Sequence, residues 1–308
     1  MRRIVNFSGG VGSWAAAKRC AERHGTAEMS LLFCDTFMED NDLYRVLIQS
    51  AANVFQLDIP WWIYDAITGI PEWEECQSEY EHKQRKGMLI DLAAQAMLYI
   101  PQLAWIADGR TPWEIFRDER YIGNSRVDPC SKRLKRELMD AWRVQNCEPA
   151  TTEIYIGIDW SEIHRLDGRD GKPGIRERLK PWTVVAPMCD RPCMTKAGML
   201  HWMESEGIKA SRLYNDSFPH NNCGGMCCKM GIGQAVHLLR KYPDRYAAHE
   251  RTELATQQHI GRTDIAMLRD RRGGTSKPMT LRQLRLRVEA GESFGELESE
   301  WGGCGCAL

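Results

Sequence analysis

Several features are missing from this chain of 308 residues. No window approaches the roughly 20 consecutive apolar residues that a transmembrane helix needs. Neither sign of charge dominates. The 41 Lys and Arg stand against 42 Asp and Glu, a net charge of −1, which excludes a histone-like or polybasic protein. No repeat recurs at periods of about 20–50 residues, which excludes solenoids and propellers, and no tract is of low complexity. The glycine-rich stretches match neither the Walker A loop nor the dinucleotide fingerprint. Only 12 residues are cysteine, well below the ~8–10% of a disulfide-stapled secreted scaffold. The apolar run after Met1-Arg2-Arg3 stops at Ser8-Gly9-Gly10, too short for a signal-peptide core. The expectation is a cytoplasmic protein with no membrane partner.

What is present begins with alternation of element types. Arg3–Phe7 reads as a strand, Ser13–Gly25 as an amphipathic helix closed by glycine, and Met29–Thr36 as a second strand. A helix over 42–55 follows, and Ile59–Ala66 reads as a third strand packed by Trp61 and Trp62. Helices are expected at 89–99 and 130–145, a strand at 153–159, and a Gly/Pro-rich surface loop at 167–187. Further helices are expected at 195–206, 233–242 and 244–257. The pattern predicts an α/β fold, a parallel sheet with helices on both faces, plus a helical, cysteine-containing C-terminal region. The expected division is residues 1–187 and 188–308.

Ser8-Gly9-Gly10-Val11-Gly12-Ser13 joins the first strand to the first helix. Glycines let the backbone approach a ligand, N–H groups at a helix start point at negative charge, and two hydroxyls add donors. The pattern predicts a phosphate site. Arg165, after the later strand, suits a phosphate or sulfate by bidentate hydrogen bonding. Lys132, Arg133, Lys135 and Arg136 form another candidate anion clamp, although four such positions cannot all face one way on a helix.

Nine of the cysteines fall into three groups. Cys20, Cys34, Cys76 and Cys147 stand alone and read as packing residues. Cys223, Cys227 and Cys228 cluster beside Gly224-Gly225, and thiolates at such spacing chelate Zn²⁺ or an iron–sulfur cluster. Reduced thiols packed in a loop remain the other reading. Cys304 and Cys306 lie in a Gly-rich tail that reads as a swinging dithiol, a ligand donor or a plain end.

Taken in order, these motifs resemble the adenine nucleotide α-hydrolase, or PP-loop, superfamily, with its HUP-like sheet. Ser8-Gly9-Gly10-x-x-Ser13 is similar to its pyrophosphate loop. Phe33-Cys34-Asp35-Thr36 with Glu39-Asp40, Asn124–Lys135 around Cys130, Gly157-Ile158-Asp159 through Glu162 and Arg165, and Asn222–Lys229 resemble segments of the phosphoadenosine phosphosulfate (PAPS) reductase branch. The resemblance spans roughly residues 3–250. It implies that Ser8–Ser13 hold the phosphates of ATP with Mg²⁺, and that Phe33, Asp35 and Gly157 complete the adenine-nucleotide site. It also implies that Cys130 joins Cys223, Cys227 and Cys228 around a [4Fe-4S] cluster, or alternatively Zn²⁺. Cys130, Cys223 and Arg165 are the candidate catalytic residues. Two departures stand out: Gly12 occupies the place of an Asp, and the tail lacks the branch's Glu-Cys-Gly-x-His element.

The implied activity is adenylation of an acceptor with release of pyrophosphate, coupled to sulfur transfer onto a nucleic acid base. Residues 229–288 hold 13 Lys/Arg against 5 Asp/Glu and would meet tRNA or DNA, or form a solvated arginine-rich face. A sulfonucleotide reductase and a non-catalytic nucleotide-binding subunit with structural zinc are the competing expectations. A homodimer is compatible with each.

Overall fold

The computed structural model describes residues 1–169, 171–299 and 301–302. Its centre is a sheet of five parallel strands. These are β1 (Arg2–Asn6), β2 (Met29–Asp35), β3 (Leu103–Ala107), β4 (Thr152–Tyr155) and, counting two later short strands, β7 (Thr183–Val185). They lie in the order β3-β2-β1-β4-β7. The chain therefore builds outward from β1 to one edge and then returns to build from β1 to the other.

Alternation along the strands shows why both faces are covered. Val5, Leu31, Phe33 and Tyr155 belong to one apolar core, while Ile4, Leu32, Cys34 and Ile154 belong to the core on the opposite face. The first core packs against α1 (Val11–His24), α2 (Asn41–Phe55), α3 (Trp61–Thr68) and α4 (Glu79–Tyr99). Beyond β3 come α5 (Pro112–Asp118) and the turn α6 (Pro129–Ser131), which runs through a π-helical stretch, Lys132–Glu137, into α7 (Leu138–Asn146). The second core packs α7 with α8 (Ile163–Asp167) and α9 (Ile175–Arg178), and between these two helices lies a hairpin of β5 (Gly168–Arg169) and β6 (Lys172–Pro173). α10 (Lys196–Ser205) returns to the first face, and α11 (Arg212–Asn215) follows it. A third core gathers Trp113 and Phe116 of α5 with α12 (Ile232–Lys241), α13 (Pro243–Ile260) and α14 (Leu281–Glu289). A small hairpin, β8 (Leu268–Asp270) and β9 (Lys277–Met279), borders that core. Among the described residues no helix is long and apolar enough to cross a membrane.

Two expectations are corrected. Ile59–Ala66 is not a strand, because α3 begins directly after Pro60. Only Ile63 and Ile67, four apart, are buried in it, which is helical spacing; Trp61 is 74% exposed and packs no strand. The third strand is instead Leu103–Ala107, paired with β2 from Leu31↔Leu103 to Asp35↔Ala107. The segment 167–187 is not simply a surface loop either, since Thr183–Val185 pairs with β4 as an edge strand.

Candidate functional site

β1 ends at Asn6, and the chain turns through Ser8-Gly9-Gly10 into α1. Gly9 takes φ +70°, the left-handed region that glycine enters without penalty. The two serines brace the turn. Ser13 Oγ donates to the Gly10 carbonyl at 2.8 Å, and Ser8 N donates to Ser13 Oγ at 3.2 Å. No side chain caps α1, and its first turn holds no acidic residue. The start of a 14-residue helix is thus left with its positive end open.

That helix end faces a cleft of about 290 Å³. One wall is the turn after β1, with Ser8, Gly10, Val11, Gly12 and Ser13. The opposite wall is the turn after β4, with Gly157, Asp159, Glu162 and Arg165. β1 and β4 are the neighbours between which strand order reverses, so the cleft sits at the topological switch point, the usual ligand crevice of open α/β sheets. Gly9 does not line the cleft itself, but its carbonyl accepts from Asn221 Nδ2 at 3.0 Å, tying the loop to the 219–222 wall.

The charges within the cleft are mixed. Arg165 pairs with Glu162, so its positive charge is partly neutralised. Lys196, at the start of α10, supplies a cation that sequence reasoning missed. Its ammonium lies 4.4 Å from the centre of the Tyr214 ring and donates to the Pro219 carbonyl. Burial pushes its pKa down to about 8, opposed by the nearby Glu162 and Asp159 carboxylates. Nothing in the sequence around Thr195-Lys196 distinguishes it from a surface lysine, because the tertiary fold makes the burial.

Phe33 and Asp35 are brought elsewhere. Both are buried and neither lines the cleft. Phe33 meets Trp105 edge to face at 5.3 Å. The Asp35 carboxylate accepts from Phe37 N at 2.8 Å, Tyr44 Oη at 2.9 Å and Trp105 Nε1 at 3.1 Å. Burial raises its pKa to about 6 against those hydrogen bonds, with Glu39 reinforcing the rise. Asp35 is a core anchor for the end of β2.

The 219–222 wall leads directly into the cysteine loop. Cys223 takes φ 52°, an uncommon left-handed value for a non-glycine residue, and its N–H donates to the buried Glu39 carboxylate. Glu39 also lies 3.5 Å from the buried Lys135 ammonium, while Asp40 holds Arg245 at 2.9 Å. The acidic residues behind β2 therefore fasten the cysteine loop and α13. Cys130 and Cys228, 98 residues apart in sequence, bring their sulfurs to 3.7 Å in a buried setting. Cys227 Sγ accepts from Lys229 N at 3.4 Å. Among the described residues no group of three or more His, Cys, Asp or Glu is arranged to hold a metal ion, so the described thiols do not fit a cluster or a zinc site. Cys304 and Cys306 lie outside the described residues. Cys20, Cys34, Cys76 and Cys147 are all buried, as packing residues should be.

The basic clamp and the basic region are both divided by the fold. Arg133 pairs with Glu119 and Glu137 at the surface, while Lys135 is buried. Within 229–288, Arg245 is held by Asp40 and Glu74, Arg285 by Glu250 and Glu289, and Arg272 and Arg287 by Asp270 and Glu292. Acids from outside the segment answer much of its charge.

Searches against family models, curated proteins and solved structures return no match to this chain.

Proposed function

We propose that the cleft binds ATP with its phosphates on the Ser8–Ser13 turn, and that the protein adenylates an acceptor in the manner of PP-loop enzymes of HUP-like fold. The observation that carries this reading is the position of the glycine turn. It opens α1 at the point where strand order reverses, facing Arg165 and Lys196 across one cleft. The N–H groups of the turn and the Lys196 ammonium would take the β- and γ-phosphates. Asp159 and Glu162, two carboxylates on the facing wall, are the donors suited to Mg²⁺, which binds through one or two carboxylates plus phosphate oxygens.

An acceptor oxygen attacks the α-phosphorus, the bond to the β-phosphate bridging oxygen breaks, and pyrophosphate leaves. The Cys130–Cys228 pair suits sulfur delivery. Cys130 takes the outer sulfur of an external persulfide, whose donor leaves as a thiol, and the new persulfide attacks the activated carbon with AMP as leaving group. Cys228 then attacks the Cys130 sulfur, which frees the thiolated base and leaves a Cys130–Cys228 disulfide for an external dithiol to reduce. A nucleic acid base is the acceptor this reading favours, met by basic side chains of 229–288. The same pair of thiols also favours a second reading, a sulfonucleotide reductase in which a thiolate attacks sulfur.

Pyrophosphate release decides between the two. The first reading expects release from ATP only with acceptor present. The second expects sulfite from a sulfonucleotide and no pyrophosphate.

A further inference from the structure

A second cavity, of about 80 Å³, lies on the sheet face covered by α7 and α9. It is too small for a nucleotide and several times the roughly 10–15 Å³ that one water requires. Three arginines line it: Arg136, Arg143 and Arg178. Asn6 and the single acid Asp140 complete its polar lining, so two positive charges are unanswered within the walls.

Arg143 is 1% exposed, donating to Asp140 at 2.6 Å and to Asn6 Oδ1 at 2.9 Å. Its Nε–H, also buried, has no hydrogen-bond partner. A buried donor without an acceptor is costly, and guanidinium donors match the oxygens of a tetrahedral anion. Arg136 is held at the rim by Asp128 and Ser131, and Arg178 stands at the exposed mouth. Burial, and then the like charges of Arg136 and Arg165, lower the pKa of Arg178. An anion between these groups would relieve both the orphaned donor and the repulsion.

We propose that this cavity is a binding site for one tetrahedral oxyanion, phosphate or sulfate, separate from the glycine-turn cleft. Asn6 lines both cavities, which places the bound anion immediately behind the turn after β1. The site stands on its own residues and does not depend on the nucleotide reading.

The test is thermal melting of the full chain titrated with sodium phosphate or sodium sulfate, with chloride adjusted to hold ionic strength constant. A saturable rise in Tm is expected. The double variant Arg136→Gln/Arg178→Gln changes two partly solvated side chains and leaves Arg143 in place. It should weaken the effect at least about tenfold. Ser13→Ala, in the large cleft, should leave it intact. No saturable difference from chloride overturns the proposal. So does an undiminished effect in the arginine variant, or an effect lost only in Ser13→Ala. Repeating the titration under saturating ATP identifies the source of the anion. Retained phosphate affinity means a free ion, and competitive loss means a phosphoryl group carried by the ligand of the cleft.

Discussion

A Cβ on Gly12 would lie 2.7 Å from the carbonyl oxygen of Gly157, and a Cβ on Gly157 would lie 2.6 Å from Ser13 N. The turns after β1 and β4 touch backbone to backbone at Gly12 and Gly157, and neither position tolerates a side chain. The turn after β4 occupies the space that a side chain at position 12 would need. The acids that line this cleft, Asp159 and Glu162, come from that turn.

Gly12→Ala is therefore expected to destabilise the protein by about 1–3 kcal/mol, since a backbone oxygen must move to admit the methyl group. Gly12→Asp, with a larger side chain at the same position, should fare no better. Urea denaturation of both variants against the wild type measures this. Stability within 0.5 kcal/mol of wild type, in either variant, contradicts the close approach.

If the cleft binds ATP as proposed, Lys196 makes that affinity depend on pH. Its pKa of about 8 lies below the 10.5 of an ordinary lysine, so it loses its proton as pH rises through 8 while exposed lysines stay charged. A phosphate contact through the ammonium is present below pH 8 and lost above it. ATP affinity should fall about tenfold between pH 7 and 9.5 in the wild type. In Lys196→Met it should be low and nearly flat across that range. Calorimetric titration at several pH values checks this, and a parallel slope in the variant would assign the effect to another group.

The glycine turn, the parallel sheet and the packing role of the isolated cysteines were legible because each rests on local pattern: a turn before a helix, apolar runs between polar helices, lone thiols among apolar neighbours. Trp61-Trp62 misled because a run of aromatics beside Ile resembles a buried strand. The helical spacing of Ile63 and Ile67 was the better signal. Lys196, the Arg143 cavity and the burial of Phe33 and Asp35 were not legible, since each depends on which segments the tertiary fold brings together. The ion pairing within 229–288 was not legible for the same reason. The acids that neutralise Arg245, Asp40 and Glu74, lie about 170–205 residues away in sequence.

Arg245 is the buried hub of that network, 3% exposed, with Asp40 completely buried beside it. Arg245→Met leaves Glu74 without its cation and Asp40 with Arg212 alone, and should cost about 3–5 kcal/mol. Arg133→Ala removes two solvent-screened surface pairs and should cost far less. Chemical denaturation of the two variants compares them, and equal costs would contradict the ranking by burial.

Under the proposed function, Cys130→Ser and Cys228→Ser separate adenylation from sulfur transfer. Each should retain ATP binding and acceptor-dependent pyrophosphate release but lose sulfur incorporation, because the thiols belong to the apolar core of α5 and α12–α14 and do not line the cleft. Loss of pyrophosphate release in a folded Cys228→Ser protein would place that thiol in the adenylation step instead.

The central claim is that the turn after β1 holds the phosphates of an adenine nucleotide. Calorimetric titration of ATP with Mg²⁺ into the wild type and into Ser8→Ala/Ser13→Ala tests it most directly. The account predicts saturable one-to-one binding that weakens at least about tenfold in the double variant while Tm in the absence of ATP stays close to wild type. No saturable binding of ATP to the wild type, or equal affinity in the two proteins, would contradict it.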